Sequence, residues 1–334
     1  MFELEGKDQC VTVPAPTSLP FFTAAVSGVL SLVTVPCNIL VCLTIVKSPA
    51  PFKSLRTPFT YFILNLAVTD LLVGAVTEPT SVVYHLMEAH SVSSPALIRF
   101  LQVMYFLPCT VSVFSILALT LERCFAISKP FQYRQSVKQS RVLLASGIIW
   151  LLSPVFLAPY FSMGYRAFSF VFANAVILLT FCIVVYAYFK IVKAMRHRRK
   201  FRKESLVGLC TTNQKTNLFE EKLTITFISI LILFAVCYVT PCLLIYIMNL
   251  CMQCSCSFIH WLRDTTFLAV TFNSAINPFL YAWRLPSFRR ALKAVMPGCK
   301  HQSTLAGSSQ PEVGYTLKKA SDSSLHFENG PTTV

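Results

Sequence analysis

Charge is scarce in this chain. Asp, Glu, Lys and Arg make up 13% of its 334 residues, about half the roughly 25% of an ordinary soluble domain. Acids are the rarer sign, 14 against 29 bases. Glycine is sparse as well: ten residues exclude a collagen-like chain, which needs one at every third position. Thirteen cysteines are too few for a disulfide scaffold of this length, and most fall inside apolar runs. No Asn-x-Ser/Thr sequon occurs, so N-glycosylation is not expected. Residues Met1–Cys10 hold three acids and one lysine. They lack the basic n-region of a cleavable signal peptide, so the first apolar run is expected to act as its own insertion signal. No internal repeat of the transporter kind is present. What the chain has in abundance is apolar side chains, 54% of the total, with a mean hydropathy of +0.61. That excludes disorder and points to a membrane protein.

Seven apolar stretches reach at least about the 20 residues that a spanning helix needs. They run over Pro20–Lys47, Pro58–Val83, Ala96–Ile127, Arg141–Phe161, Tyr165–Ile191, Leu223–Leu250 and Phe258–Trp283. With the first residues outside, the outer segments hold only Lys7, Arg99, Arg166 and Arg263 of all the lysines and arginines. The inner side holds the rest, including Lys190–Lys203, KIVKAMRHRRKFRK. This is the positive-inside pattern. The net charge of +15 then reflects topology and a surface for acidic lipid headgroups, with no nucleic acid required. The expected fold is an all-α membrane protein, a seven-transmembrane-helix bundle with its N-terminus outside. Residues 1–19 form an extracellular segment, 20–296 the bundle, and 297–334 a disordered cytoplasmic tail. A short amphipathic eighth helix is expected over Ser287–Val295.

Polar groups at bilayer depth are expensive and therefore informative. Asp70 lies midway along the second run, Asn38 midway along the first and Ser112 in the third; the seventh carries Asn273, Ser274 and Asn277. A lone carboxylate among neutral oxygens suits a small hard cation, or else a protonated Asp70 hydrogen-bonded to the asparagines. Both readings stay open, and both make this cluster the polar centre. At the inner end of the third run stand Glu122, Arg123 and Cys124. Glu221 opens the sixth run 20 residues before Pro241, about 30 Å along a helix, which puts it at the same boundary as Arg123. Pro241 breaks the backbone ladder and supplies a kink, so a kinked helix latched at one end is a candidate two-state element.

These motifs together resemble the rhodopsin-like (class A) G-protein-coupled receptors over about Pro20–Val295. The matching pieces are Asn38 in CNILV, Asp70 in LAVTD, Arg123 in LERC, Trp150, Pro241, Tyr188 in YFKI, and Asn277, Pro278 and Tyr281 in NPFLY. Phe288 resembles the start of the family's eighth helix, which makes Cys299 a candidate palmitoylation site. The resemblance implies that an outer ligand changes helix packing and opens the inner face to a heterotrimeric G protein. It implies sodium at Asp70, Ser112 and Asn273, linked onward by Asn38 and Asn277. It also implies a latch between Arg123 and Glu221, and rearrangement of Tyr188 and Tyr281 on activation. Arrestin and receptor kinase follow as partners, and the plasma membrane as location.

The departures are specific. Ile98 stands where the family usually has a third-helix cysteine, and the connection near Phe161–Tyr165 is short and has none. The fifth run lacks its proline, Val239 replaces the usual tryptophan with Tyr238 beside it, and Cys124 replaces the usual tyrosine. This set resembles the melanocortin, lysolipid, cannabinoid and adenosine branch. Pocket candidates are Gln102, Tyr105, Cys109, Glu78, Leu243, Tyr246, Phe267 and Thr271. Tyr105 stands where amine receptors carry an aspartate, and Thr271 where opsins carry their lysine, so neither a biogenic amine nor retinal is expected. A disulfide is expected among the outer cysteines Cys10, Cys251, Cys254 and Cys256, either Cys251–Cys256 or Cys10 with one of the others. The tail ends in Thr332-Thr333-Val334, which resembles a PDZ ligand, and its serines and threonines are phosphorylation candidates. A seven-helix transporter or channel is the rival class, but it would show repeats, broken helices or charge-lined pores. No enzyme is expected, since no HExxH, paired carboxylates or Ser/His constellation lies within a run. His85, His90 and His260 read as solvated histidines at outer ends.

Overall fold

The structure is a computed structural model. It describes Cys10 and residues 13–47, 57–178, 211–251 and 253–295, with residues 181–182, 185–190, 192–193 and 196 between. For residues 211–223 it describes the backbone. Cys299, the rest of the tail and most of the basic run Lys190–Lys203 lie outside these residues.

Among the described residues the regular elements are helices. They are α1 Ser18–Val46, α2 Pro58–Ala89, α3 Pro95–Ser128, α4 Gln139–Leu157, α5 Tyr160–Phe172 with a π turn over Ala173–Leu178, α6 Thr211–Leu250, α7 Cys256–Arg284 and α8 Pro286–Val295. A two-turn segment, Pro130–Ser136, lies between α3 and α4. Starts are set by local chemistry: Thr57, Ser94 and Ser255 accept from the N–H three residues on, and proline occupies the first position of α2 and α3. Five of the helices are long and apolar enough to cross a membrane: Ser18–Val46, Pro58–Ala89, Pro95–Ser128, Gln139–Leu157 and Thr224–Leu250. α7 is as long as α1, at 29 residues, but carries Arg263, Asp264, Asn273, Ser274 and Asn277. Several helices outrun the apolar stretches, α2 past Val83 to Ala89 and α6 back from Leu223 to Thr211. Hydropathy marks where grease stops, whereas a helix continues into water for as long as its backbone bonds allow.

The helices are inside-out relative to a soluble bundle. On α1, Leu32 is 77% exposed and Asn38 fully buried; Ser27, Thr34, Asn38, Val41 and Ile45 face the protein. Small and polar groups pack inward because lipid offers apolar faces no penalty. An aromatic and aliphatic core of Phe59, Phe62, Leu66, Phe106, Val113, Leu119, Phe227, Phe234 and Tyr281 fills the bundle.

Two glycines are required by geometry. Gly164 has φ 74° and ψ 170°, in the left-handed region that side chains disfavour. It breaks the opening turn Tyr160–Met163 from the body of α5. Gly74 sits in a π turn, Val73–Thr77, inside α2. Pro79 follows closely, and its ring cannot tolerate the regular α-helical carbonyl four residues back, so one residue is looped out. The freed Gly74 carbonyl accepts from the Ser31 hydroxyl at 2.7 Å. A Cβ on Gly74 would stand 2.8 Å from Thr34 Cγ2 and 2.9 Å from its Cβ. Gly74→Ala is therefore expected to cost about 1–3 kcal/mol through overpacking, read by thermal unfolding. Thr34→Ala, which removes the nearest methyl, should restore part of that. A Gly74→Ala variant as stable as the parent would show that α1 and α2 can simply move apart.

Candidate functional site

At mid-depth three helices meet through amides. Asn38 donates from Nδ2 to the carbonyls of Thr34 at 3.0 Å and Ser274 at 3.1 Å. Asn277 donates to Asp70 Oδ2 at 3.0 Å. α1, α2 and α7 are thereby joined, with Ser274 rather than Asn273 receiving Asn38. Ser112 and Asn273 are buried, and among the described residues the side chain bonded to Asp70 is that of Asn277. The second carboxylate oxygen of Asp70 and the amide oxygen of Asn38 are buried and accept from nothing among the described residues. Hard acceptor oxygens beside a carboxylate are the donor set a small cation takes. A neighbouring network was not foreseen. Trp150 Nε1 donates to Asn65 Oδ1 at 3.0 Å, and Asn65 Nδ2 donates to Ser115 Oγ at 2.7 Å, tying α4, α2 and α3. Asn65 stands five residues before Asp70, and only the fold reveals that it meets Trp150.

The inner end of α3 holds a buried ion pair. Arg123, 1% exposed, donates from Nε and Nη2 to the two oxygens of Glu122, each at 2.5 Å. Its Nη2 also donates to Tyr133 Oη at 3.2 Å, and Tyr133 donates in turn to Glu122. The Phe59 ring lies 4.8 Å from the guanidinium carbon. Tyr133, from the segment Pro130–Ser136, was missed because its partners lie ten and eleven residues back across a helix end. Glu221 falls in α6, but its side chain lies outside the described residues, as does any contact it makes. Tyr188 packs partly buried against the core. Tyr281 is fully buried, its hydroxyl unbonded among the described residues. Pro241 and Pro278 stand inside α6 and α7.

Toward the outer side the pocket candidates separate. Tyr105 stacks on Phe267 with ring centroids 5.6 Å apart, and Tyr160 donates to Gln102 Oε1 at 2.5 Å. Tyr246 donates to Asn174 Oδ1 and lies 5.4 Å from the Phe170 ring. Cys109 is buried beside Tyr238, which stacks on Phe234 at 4.2 Å. Tyr238 thus faces the core next to Val239. Thr271 is buried and donates to the Leu268 carbonyl. Glu78 is fully buried, with neither carboxylate oxygen hydrogen-bonded among the described residues. Leu243 does not belong in a pocket: it is 58% exposed, on one stripe of α6 with Ile232, Val236, Ile247 and Leu250. That spacing is the lipid-facing side of a helix.

His90 is exposed as expected, but the other two outer histidines are corrected. His85 and His260 are buried, not solvated. His260 Nε2 meets the Val13 carbonyl at 2.9 Å. His85 Nδ1 lies 2.8 Å from Glu88 within a network centred on Arg263. Arg263 donates to Asp264 at 2.7 Å and to Glu88 at 3.0 Å, and Thr23 donates to Asp264 at 2.9 Å. The disulfides are Cys10–Cys256 and Cys251–Cys254. Pairing of Cys10 with an outer-loop cysteine is as expected, whereas the alternative Cys251–Cys256 is replaced. Cys256 begins α7, so Cys10 draws the N-terminal segment onto that helix while Cys251–Cys254 closes only a short turn.

The sequence profile of the family described as 7 transmembrane receptor (rhodopsin family) matches residues 37–170 and 161–281. The D(4) dopamine receptor of Homo sapiens is 34% identical over 137 residues, 41% of this chain and 32% of its own length. The muscarinic acetylcholine receptor M3 of Bos taurus is 31% identical over 138 residues, 41% of this chain and 22% of its own. For the octopamine receptor of Heliothis virescens the figures are 31% over 149 residues, 45% and 30%. The chain spans a third or less of the length of these relatives. The family profile, by contrast, runs across the Asn38–Asp70–Asn277 centre, Arg123 and the helices that carry them, and the chain belongs to the rhodopsin family of seven-transmembrane receptors.

Proposed function

We propose that the chain is a plasma-membrane receptor that converts binding of an extracellular ligand into activation of a heterotrimeric G protein. The observation that carries this is the buried Glu122–Arg123 pair braced by Tyr133. A charged group held out of water at the inner end of a helix bundle is costly, which marks it as a functional site. The path runs from the outer aromatic residues through the amide-linked centre to this pair. An agonist that shifts α6 about Pro241 must favour one packing over the other by its own differential binding. Arrestin and a receptor kinase acting on the tail, and a PDZ protein at Thr332-Thr333-Val334, belong to the same reading. Nucleotide exchange on a panel of G proteins, in cells expressing the chain, tests it; substrate flux without exchange would favour a transporter instead.

The centre would hold sodium through Asp70, Ser112 and Asn273, with Asn38 and Asn277 fixing the arrangement. The unbonded oxygens of Asp70 and Asn38 support this. The ion would neutralise Asp70 and draw α2, α3 and α7 together, opposing opening of the inner face. Sodium chloride, compared with choline chloride, is expected to raise the unfolding temperature of the purified chain. Asp70→Asn keeps the shape, removes the charge and should abolish the difference. A sodium effect that survives Asp70→Asn would leave the cluster as a hydrogen-bond network alone.

A further inference from the structure

Arginine is the side chain least able to sit alone inside a protein, because it does not lose its proton and carries five donors. On α5, both terminal nitrogens of Arg166 are enclosed by protein and, among the described residues, neither finds a hydrogen-bond acceptor. Protein, not lipid, encloses them, so this is not an arginine snorkelling into headgroup water. Arg263 makes the contrast: on α7 it is matched by Asp264, Glu88 and Tyr84. The described acids nearest the outer ends, Glu88 and Asp264, are committed to that network and to His85 and Thr23. Nothing among the described residues neutralises Arg166.

Its place in the helix says what it faces. Arg166 follows the Gly164 break and shares a stripe with Phe170 and Asn174, four and eight residues on. Both of those meet Tyr246 of α6. Phe168 and Phe172, on the opposite side of the helix, pack on Phe106 of α3. A long helical side chain leans toward the preceding turn, which here is the outer one. The guanidinium therefore stands at the outer end of the seam between α5 and α6 that Phe170 and Tyr246 line.

We propose that Arg166 is the anion-binding group of the ligand pocket, and that the ligand is a small molecule with an acid head, carboxylate or phosphate, on an apolar body. A planar fork of donors matches both acids with two parallel bonds, and the aromatic seam suits an apolar body. A cationic ligand would meet a buried like charge there, which is specificity by repulsion. This sets the chain apart from relatives named for dopamine, acetylcholine and octopamine, and it agrees with Tyr105 standing in place of an acid. The inference names the ligand class for the receptor reading above and rests on it.

The test uses the purified full chain and thermal unfolding with four probes sharing one kind of tail: phenylbutanoate, phenylbutyl phosphate, phenylbutanol and phenylbutylamine. The two acids are expected to raise the unfolding temperature in a saturable way, and the alcohol and amine are not. Arg166→Gln should weaken the acid response by about tenfold or more, the loss of a charged hydrogen-bond pair. Arg166→Lys, which keeps the charge but not the fork, should fall between. The acid-induced shift is the readout, so a change in the variants' own stability does not blur it. An alcohol as effective as its acid, or an undiminished shift in Arg166→Gln, would overturn the proposal. So would acid binding that appears only after Glu3→Gln, Glu5→Gln and Asp8→Asn, since the chain's own acids would then be the partner. G-protein exchange is measured separately. Acid binding without exchange removes the receptor reading and leaves the anion site; exchange driven by other compounds without acid binding does the reverse.

Discussion

Glu122→Gln is expected to raise ligand-free G-protein exchange about tenfold at equal surface expression, given that about 1.4 kcal/mol shifts a small active fraction by that factor. Breaking a buried pair by removing one partner costs as much as roughly 3–5 kcal/mol. The loss here is smaller, because Arg123 keeps Tyr133 and the Phe59 ring, and because glutamine still offers one oxygen. What is lost is the reason for Arg123 to stay folded against its own helix. Tyr133→Phe removes a brace without touching the charge pair, so a smaller rise is expected. Arg123→Ala should act in the opposite direction and weaken coupling, since the same guanidinium is proposed to meet the G protein. Glu221→Ala is the comparison that places the latch. A rise with Glu221→Ala and none with Glu122→Gln would move the restraint from within α3 to between α3 and α6.

The parts of this site that were legible in the sequence are those where a single residue is anomalous by itself. Asp70, Asn38 and Asn277 stand out because a polar side chain at bilayer depth has few innocent explanations, and the fold joins them directly. Helix number follows from hydropathy, since each span is one continuous run. What stayed hidden depends on pairs. The π turn over Val73–Thr77 follows from Pro79 acting together with Gly74 packed on Thr34, which lies in another helix. The outward face of Leu243 is a matter of helix rotation, and a uniformly apolar α6 gives little phase to read. His85 looked solvated because it lies near a helix end, yet Glu88 from its own helix and Asp264 from α7 stand against it. Tyr133 and Asn65 are ordinary residues until the fold supplies Arg123 and Trp150.

The largest effect on stability is expected at that outer network. Arg263→Ala should destabilise the purified chain by about 3–5 kcal/mol, the cost of leaving buried acids uncompensated. Asp264 is 3% exposed at its side chain and Glu88 17%, whereas Arg263 itself is 26% exposed. The penalty therefore comes from the acids left behind more than from the guanidinium lost. With Arg263 gone, Asp264 retains Thr23 as its direct hydrogen-bond partner, and Glu88 retains His85. Arg263→Lys keeps a cation but cannot reach both acids with fixed geometry, so an intermediate loss is expected. Adding Glu88→Gln to Arg263→Ala should recover part of the loss, and the resulting double-mutant cycle gives the coupling between α2 and α7. The network also holds α1 to α7 through Thr23, so the same variant should loosen the outer ends of the helices that meet at Asn38, Asp70 and Asn277 below. Thermal unfolding of these three variants and of Glu88→Gln alone decides it. A loss below about 1 kcal/mol for Arg263→Ala would mean the pair behaves as an exposed one, and that the outer helix ends are held by the aromatic and disulfide contacts instead.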